Sequence, residues 1–177
     1  MTEIDDRAVT LAPLARDDFE CVADVARRIW IEHYITIISQ DQIDYMLSGR
    51  FTPENLERYI GATDKWFYVL RLAGVVVGYC SFAKTVTPGE MKLEQLYLSP
   101  SLHGRGLGKR MMRWVEQETL ARDCQTLMLQ VNKQNTKSID VYRRGGFQVR
   151  EELVVDIGSG FVMDDYIMEK RLQPHVS

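Results

Sequence analysis

Apolar residues in the amino-terminal third of the chain recur at the three- and four-residue spacing of an α-helix. Residues 17–34 carry the longest row of this kind, which consists of Phe19, Val22, Ala26, Ile29 and Trp30. Asp17 or Asp18 is available as its N-cap, and Ser39 and Thr52 stand at positions typical of N-caps. The pattern therefore predicts one longer helix and two short ones in this region.

The pattern then changes to the alternation of a half-buried β-strand. Alternating runs occupy residues 65–72, 75–85 and 91–98, and turn residues separate them. Because strands joined by short turns pair antiparallel, these three runs predict an antiparallel meander. A further short strand is predicted at residues 9–12, before the first helix.

Helical and strand patterns alternate in the carboxyl-terminal half. The predicted elements are a helix at 107–122, a strand at 127–131, a helix at 135–144 and strands at 147–157 and 161–171. A strand, a crossover helix and a buried strand in succession indicate a parallel βαβ pair. We expect one α/β (α+β) domain over residues 1–177, with a mixed, mostly antiparallel sheet of about six to seven strands flanked by helices.

Composition and charge exclude several classes of protein. The 177 residues are 45% hydrophobic and 27% charged, which is typical of a globular domain. A net charge of -3 gives no general attraction to nucleic acid. The longest uncharged apolar stretch, residues 72–83, is shorter than the ~20 residues of a membrane helix, and the acidic amino terminus does not resemble a signal peptide. We expect a cytoplasmic protein that binds neither nucleic acid nor a membrane.

Cysteine and histidine are scarce. Cys21, Cys80 and Cys124 lie in apolar patterns and are odd in number, so we expect them to be buried free thiols. The chain has three histidines and neither an HExxH nor a CxxC motif. We therefore expect no metal site.

The sequence HGRGLG, at residues 103–108, lies between a predicted strand and a predicted helix. Glycines at such a turn let backbone N–H groups converge on an anion, and the start of the helix adds partial positive charge. Arg105, Lys109 and Arg110 supply cations that suit a pyrophosphate. The spacing fits neither the P-loop nor the dinucleotide motif GxGxxG. Taken alone, the motif is compatible with a plain surface turn or with a phosphate site.

A second polar pattern, NTKSIDVYRRGGF, occupies residues 135–147. Asn135, Ser138 and Tyr142 are three and four residues apart and so share one face of the predicted helix. An amide can donate and accept hydrogen bonds, and a phenol with an ordinary pKa of about 10 can give a proton to a leaving anion. The alternative is that Asn135 is only an N-cap and Tyr142 an ordinary aromatic at the edge of the core.

With these two motifs the sequence resembles the GNAT superfamily of acetyl-CoA-dependent N-acetyltransferases. The family loop [QR]xxGxG is matched by His103, Gly106 and Gly108, with histidine where glutamine or arginine is usual. The later family motif Nxx[AS]xxxYxxxGF is matched by Asn135, Ser138, Tyr142, Gly146 and Phe147. The specific motifs lie within residues 91–147, although the order of the elements agrees over nearly the whole chain.

The resemblance implies that acetyl-CoA is the cofactor and that the parallel βαβ pair carries its site. The backbone that would pair with the pantetheine arm belongs to Leu96, Tyr97 and Leu98. The residues that would hold the pyrophosphate are His103, Gly104, Arg105, Gly106, Leu107, Gly108 and Lys109. Asn135 would hydrogen-bond the pantetheine arm, Ser138 would lie on the same cofactor-binding face, and Tyr142 would be the acid for the leaving thiolate.

The acceptor amine must lose a proton before it attacks, because an alkylamine with a pKa of about 10 arrives protonated. Glu94 on the fourth strand is our candidate base, acting through a water, although a strand glutamate is commonly just a solvated charge. Lys92 aligns with a base-relevant position in some relatives but cannot serve while protonated. His33 is a third candidate, with a helix-surface histidine as its alternative interpretation.

By the same resemblance, the acceptor would meet the amino-terminal helices and the final hairpin. The residues predicted to bind it are Trp30, His33, Tyr34 and Tyr45. Asp164 and Asp165 on the hairpin add carboxylates, and aromatic rings beside carboxylates suit a cation. Residues 30–47 are similar to a bacterial branch that includes polyamine acetyltransferases. A small-molecule primary amine such as a polyamine is therefore the expected acceptor.

Other interpretations stay open at this point. The acceptor could instead be the amino terminus of a protein or peptide, or an aminoglycoside-type amine. A different class of function is an acyl-CoA binding or sensing module that performs no chemistry. Members of the family are often dimers, so a homodimer is also open.

Overall fold

The computed structural model describes residues 8–173. In order along these residues, the strands and helices are β1 (Val9–Pro13), α1 (Phe19–Tyr34), α2 (Gln40–Leu47), α3 (Pro53–Glu57), β2 (Lys65–Leu72), β3 (Val75–Lys84), β4 (Glu90–Leu98), α4 (Leu107–Leu120), β5 (Thr126–Asn132), α5 (Thr136–Arg144), β6 (Gln148–Gly158) and β7 (Phe161–Arg171). Short 3-10 helices lie at Arg16–Asp18 and Pro100–Leu102.

Seven strands form a mixed sheet in the order β1-β2-β3-β4-β5-β7-β6. Strands β4 and β5 pair in parallel, with a register from Glu90↔Thr126 to Leu93↔Leu129, and the remaining pairs are antiparallel. The parallel pair follows from the crossover through α4, since a parallel neighbour requires a long connection. The predicted fold class, with its mostly antiparallel sheet and single βαβ pair, is confirmed.

Two compact units make up the described chain. The first consists of residues 8–82 and 95–114, and the second of residues 83–94 and 115–173. Helix α1 buries one face in the core of the first unit, because its apolar residues recur at helical spacing. The buried residues of that face are Val22, Val25, Ala26, Ile29 and Trp30.

A close approach of two strands in the first unit depends on Gly78 of β3. A Cβ atom at this position would lie 2.6 Å from the carbonyl oxygen of Tyr97 and 3.3 Å from the Cα of Leu98. The amide of Ser99 also donates to the carbonyl of Val77, at 2.8 Å. Gly78 thus lets the end of β4 lie against β3 at backbone distance.

The second unit buries apolar side chains of β4, β5 and β7, among them Met91, Leu127, Leu129 and Met168. Glu90 is buried as well, and its carboxylate is 2.6 Å from the guanidinium of Arg150. The two strands of the terminal hairpin, β6 and β7, are antiparallel with a bulge between Val149 and Glu151.

Two local expectations differ from the structure. The side chain of Asp18 makes no capping bond to α1; its carboxylate accepts instead from the amide of Ala15, at 3.0 Å, and pairs with Arg71. Cys80 and Cys124 are buried, but Cys21 is exposed on α1, so its apolar sequence neighbours did not indicate its position on the helix. The N-caps expected at Ser39 and Thr52 are present, at 3.2 Å and 3.3 Å.

Candidate functional site

The turn between β4 and α4 has the backbone of an anion-binding loop. Gly104 and Gly106 have φ angles of 77° and 80°, a left-handed region that other residues adopt only at a cost. The amide of Arg110 donates to the carbonyl of Gly106 at 3.0 Å, which closes the first turn of α4. The N–H groups that precede this bond have no partner within the helix and point out of its positive end.

Buried residues hold this turn at both ends. Leu102 and Leu107 are buried, whereas the intervening side chains are exposed. The ring of His103 donates from Nε2 to the carbonyl of Leu98 at 3.0 Å, so the histidine ties the turn back to the end of β4. The turn is therefore anchored while its glycines face open space.

The donor set of the turn fits a pyrophosphate. Arg105 and Lys109 are exposed beside the backbone N–H groups, and a Cβ at Gly104, Gly106 or Gly108 would meet no atom within 4 Å. Phosphate oxygens are well recognised by such N–H groups together with flexible cations. The turn can thus supply both the space and the positive charge that a diphosphate needs.

The last residues of β4 belong to the same unit as the turn. Leu96 and Tyr97 are half-buried and Leu98 is buried. Gln95, which the sequence reasoning did not single out, is 5% exposed and donates from Nε2 to Ser81 at 3.1 Å, while its Oε1 has no partner among the described residues. The sequence did hold a signal for Gln95, because it is a polar residue at the next position of the inward-facing row formed by Met91 and Leu93.

Aromatic side chains predicted to bind the acceptor come together in the first unit. The ring of Tyr34 lies 4.9 Å from that of Trp30, and His33 meets Tyr34 edge-on at 4.7 Å. Tyr97 of β4 lies 5.5 Å from Trp30 and 6.3 Å from His33. Residues from α1 and β4 therefore build one aromatic cluster, which we define as Trp30, His33, Tyr34, Tyr79 and Tyr97.

Hydrogen bonds fix the rings of this aromatic cluster. The hydroxyls of Tyr34 and Tyr97 are 2.7 Å apart, and the indole N–H of Trp30 donates to the hydroxyl of Tyr79 at 3.0 Å. Burial raises the pKa of Tyr97 well above its usual value, with Tyr34 adding to the effect. Trp30 is only 2% exposed, so it supports the rings above it. Tyr45 is exposed on α2.

Helix α5, in the second unit, presents the other polar motif. Asn135 is buried and caps the helix, because its side chain accepts from the amide of Ser138 at 3.3 Å. Ser138 and Tyr142 are half-buried and Ile139 is buried, whereas Lys137 is exposed. The expected shared face of Asn135, Ser138 and Tyr142 is thus the inward side of the helix.

Two residues predicted to move protons also lie in the second unit. The ring of Tyr142 is 5.7 Å from the ring of Phe147, and the amide of Phe147 donates to the carbonyl of Tyr142 at 3.0 Å. Glu94 is exposed on β4. Lys92, two residues earlier, is half-buried, and its ammonium donates to the side-chain oxygen of Gln130 at 2.5 Å.

Neither a metal cluster nor a membrane helix is found between residues 8 and 173. Within that range, no group of three or more His, Cys, Asp or Glu side chains is arranged to hold a metal ion. No helix in the same range has the length and apolar character needed to cross a bilayer.

Comparisons with known proteins agree on one family. The family model described as acetyltransferase (GNAT) family matches residues 28–147. A spermidine N(1)-acetyltransferase of Thermoplasma acidophilum is 23% identical over 161 residues, covering 89% of this chain and 96% of the relative. The N-alpha-acetyltransferase RimI of Mycobacterium tuberculosis is 23% identical over 146 residues, covering 81% of each chain.

The fold is shared with solved structures. The crystal structure of PaiA N-acetyltransferase from Thermoplasma acidophilum, in complex with coenzyme A, superposes with a TM-score of 0.77 at 23% identity. The match covers 92% of this chain and 98% of that one.

Proposed function

Because the chain belongs to the acetyltransferase (GNAT) family, we propose that it transfers an acetyl group from acetyl-CoA to a primary amine of a small molecule such as a polyamine. The observation that supports this most is the anchored turn at residues 103–108, with left-handed glycines at the start of α4. A plain connection between a strand and a helix needs neither the glycines of this turn nor its left-handed backbone.

In this proposal, residues of both polar motifs hold the cofactor. Backbone N–H groups of the turn bind the diphosphate, and Arg105 and Lys109 balance its charge. The backbone of residues 96–98 pairs with the pantetheine amides as an added strand. Asn135, whose Oδ1 caps α5, hydrogen-bonds the pantetheine arm.

The proposed chemistry needs one base and one acid from the chain. When bound, acetyl-CoA supplies the acetyl group as an activated thioester. Glu94, whose side chain is exposed on β4, accepts a proton from the acceptor ammonium through a water. Tyr142 holds a proton at its phenolic oxygen and donates it to the departing sulfur. No covalent bond to the enzyme is required, so the cysteines take no part.

The aromatic cluster supports a cationic acceptor. The half-buried rings of Tyr34 and His33 would offer a π surface to an ammonium group, and the pair of tyrosine hydroxyls would offer oxygen atoms as acceptors. The relative from Thermoplasma acidophilum is named for spermidine, which carries several ammonium groups. These observations favour a polyamine over a neutral acceptor.

An assay of thiol release with a panel of amines tests the proposal. We expect CoA to be released from acetyl-CoA in the presence of spermidine and not in its absence. Release only with peptides or only with aminoglycosides would replace the polyamine by that acceptor. Thermal stabilisation by acetyl-CoA without thiol release for any amine would contradict the enzymatic function and indicate a binding module.

A further inference from the structure

Asp165 on β7 is a buried carboxylate with an unpartnered oxygen. Its exposed fraction is 8%, and Oδ1 has no hydrogen-bond partner among the described residues. A buried acceptor without a donor lowers stability, and natural proteins keep few of them. The Oδ1 atom of Asp165 therefore needs a hydrogen-bond donor that none of residues 8–173 provides.

A second buried carboxylate in the same unit shows how a structural one is satisfied. Glu90 has the same exposed fraction, 8%. One of its oxygens lies 2.6 Å from the guanidinium of Arg150, and the other accepts from the hydroxyl of Thr85 at 2.9 Å. Asp165 differs from Glu90 in its partners and not in its depth.

The strand register places Asp165 on the same sheet face as the candidate base. Asp165 is opposite Asn132 on β5, and Met128, four residues earlier on β5, is opposite Lys92 on β4. Paired residues, and residues two or four apart on a strand, direct their side chains to one face. Lys92 and Glu94 of β4 therefore share this face with Asp165.

The lysine nearest in sequence to this face is already used. The ammonium of Lys133 lies 2.7 Å from the carboxylate of Glu152 and 2.6 Å from that of Asp164. Because both carboxylates attract the ammonium of Lys133, its movement to a third carboxylate would cost the energy of these two contacts. Lys133 therefore cannot serve as the missing donor of Asp165 without breaking both contacts.

Lys92 is also engaged, by a neutral side chain. Lys92 donates to the side-chain amide oxygen of Gln130 at 2.5 Å. Lys92 and Lys133 both act on Asp165 through their charge, but neither donates a hydrogen bond to its Oδ1.

We infer that Asp165 binds the ammonium group of the acceptor amine through its unpartnered Oδ1. This inference rests on the proposed function, since it names the side chain that holds the acceptor. An ammonium group brings the N–H donor that the oxygen lacks, together with a positive charge that attracts the carboxylate. It also places the amine on the face that carries Glu94, the candidate proton acceptor.

The protonation of Asp165 gives the site a pH dependence. Burial raises the pKa of the Asp165 carboxyl above 3.8, and Asp164 adds to this, while Lys92 and Lys133 oppose it. Only the ionised carboxylate attracts an ammonium group. Affinity for the amine should therefore fall as the pH is lowered, starting above the range of an ordinary aspartate.

Calorimetric titration of spermidine into the CoA-saturated protein, paired with steady-state kinetics, tests the inference. Asp165→Asn should raise both the Kd and the KM for spermidine at least tenfold and leave the KM for acetyl-CoA within twofold. Glu151→Gln is the matched control, because it removes an exposed carboxylate of the same hairpin, and it should change neither value.

Each outcome bears on the inference or on the proposed function separately. Unchanged spermidine affinity in Asp165→Asn would overturn the inference, even if the wild-type protein acetylates spermidine. A wild-type protein that binds spermidine through Asp165 but releases no thiol would contradict the proposed function alone. If Asp165→Asn does not fold, pH-independent binding of spermidine to the wild-type protein would overturn the inference.

Discussion

Replacing Gly78 by alanine tests whether the close contact of β3 and β4 positions the cofactor-binding backbone. The new Cβ would lie 2.6 Å from the carbonyl oxygen of Tyr97. An ordinary contact needs about 3.4 Å, so the two strands must move apart by roughly 0.8 Å at this point. Such overpacking of a well-packed site costs about 2 kcal/mol of unfolding free energy.

The same displacement should reach the cofactor. The backbone of Tyr97 is proposed to pair with the pantetheine arm, and a shift of several tenths of an ångström weakens hydrogen bonds that depend on position. We expect the Kd for CoA to rise about tenfold, which is about 1.4 kcal/mol of binding free energy. Urea denaturation followed by tryptophan fluorescence, and calorimetric titration with CoA, measure the two effects.

Gly49→Ala is the matched control. The only atom near a Cβ at Gly49 is the side-chain nitrogen of Asn55, at 4.0 Å, so we expect a change of at most about 0.5 kcal/mol. If Gly78→Ala is as stable as this control, the strands are not held at backbone contact. If it is destabilised but binds CoA with unchanged affinity, the assignment of Tyr97 to the pantetheine arm is wrong.

Three further predictions concern the second unit. Tyr142→Phe should lower kcat at least a hundredfold with CoA affinity within twofold, as expected for loss of a general acid, and full turnover at every pH would exclude that role. Asn135→Ala should lose about 1 kcal/mol of stability with its N-cap, whereas Asn135→Ser should keep the cap and still bind CoA more weakly; equal CoA affinity of Asn135→Ser and wild type would remove the amide from the cofactor site. Asp165→Asn should unfold at a higher urea concentration than wild type at pH 7. The raised pKa of Asp165 means that the folded wild type holds this proton to a higher pH than the unfolded chain, so the stability of the wild type falls as the pH rises through that pKa. The greater stability of the variant should therefore vanish below pH 3.8. A difference in unfolding free energy that does not change with pH would contradict this reasoning.

The periodicity of apolar residues was enough to predict most of the elements. The bounds predicted for β2 and β7, residues 65–72 and 161–171, are those of the structure. The parallel pairing of β4 with β5 followed from the crossover helix between them. Such features depend on local patterns and on chain connectivity, both of which a single sequence contains.

Interactions between distant residues could not be predicted in this way. Asp18 looked like a helix cap, but it pairs with Arg71, which is 53 residues away. The hydroxyl contact of Tyr34 with Tyr97 spans 63 residues. Whether a side chain caps a helix or forms an ion pair, and how a ring is oriented, depends on residues that the fold brings close and not on neighbours in the sequence.

The motifs of the candidate site could be predicted from the sequence, but the hydrogen-bond partners of its individual atoms could not. The glycine turn and the polar face of α5 could be located from spacing alone. That His103 binds the carbonyl of Leu98, and that Asp165 keeps an oxygen without a donor, depends on which atoms the fold brings within hydrogen-bond distance. These details decide which groups remain for a ligand.

A crystal structure of the complex with CoA tests the central claim most directly. We expect the diphosphate oxygens to lie within about 3.2 Å of backbone nitrogens in the turn at residues 103–108 and the first turn of α4. A diphosphate bound elsewhere on the protein, with this turn making no contact to it, would contradict the assignment of the cofactor site and the proposed function that depends on it.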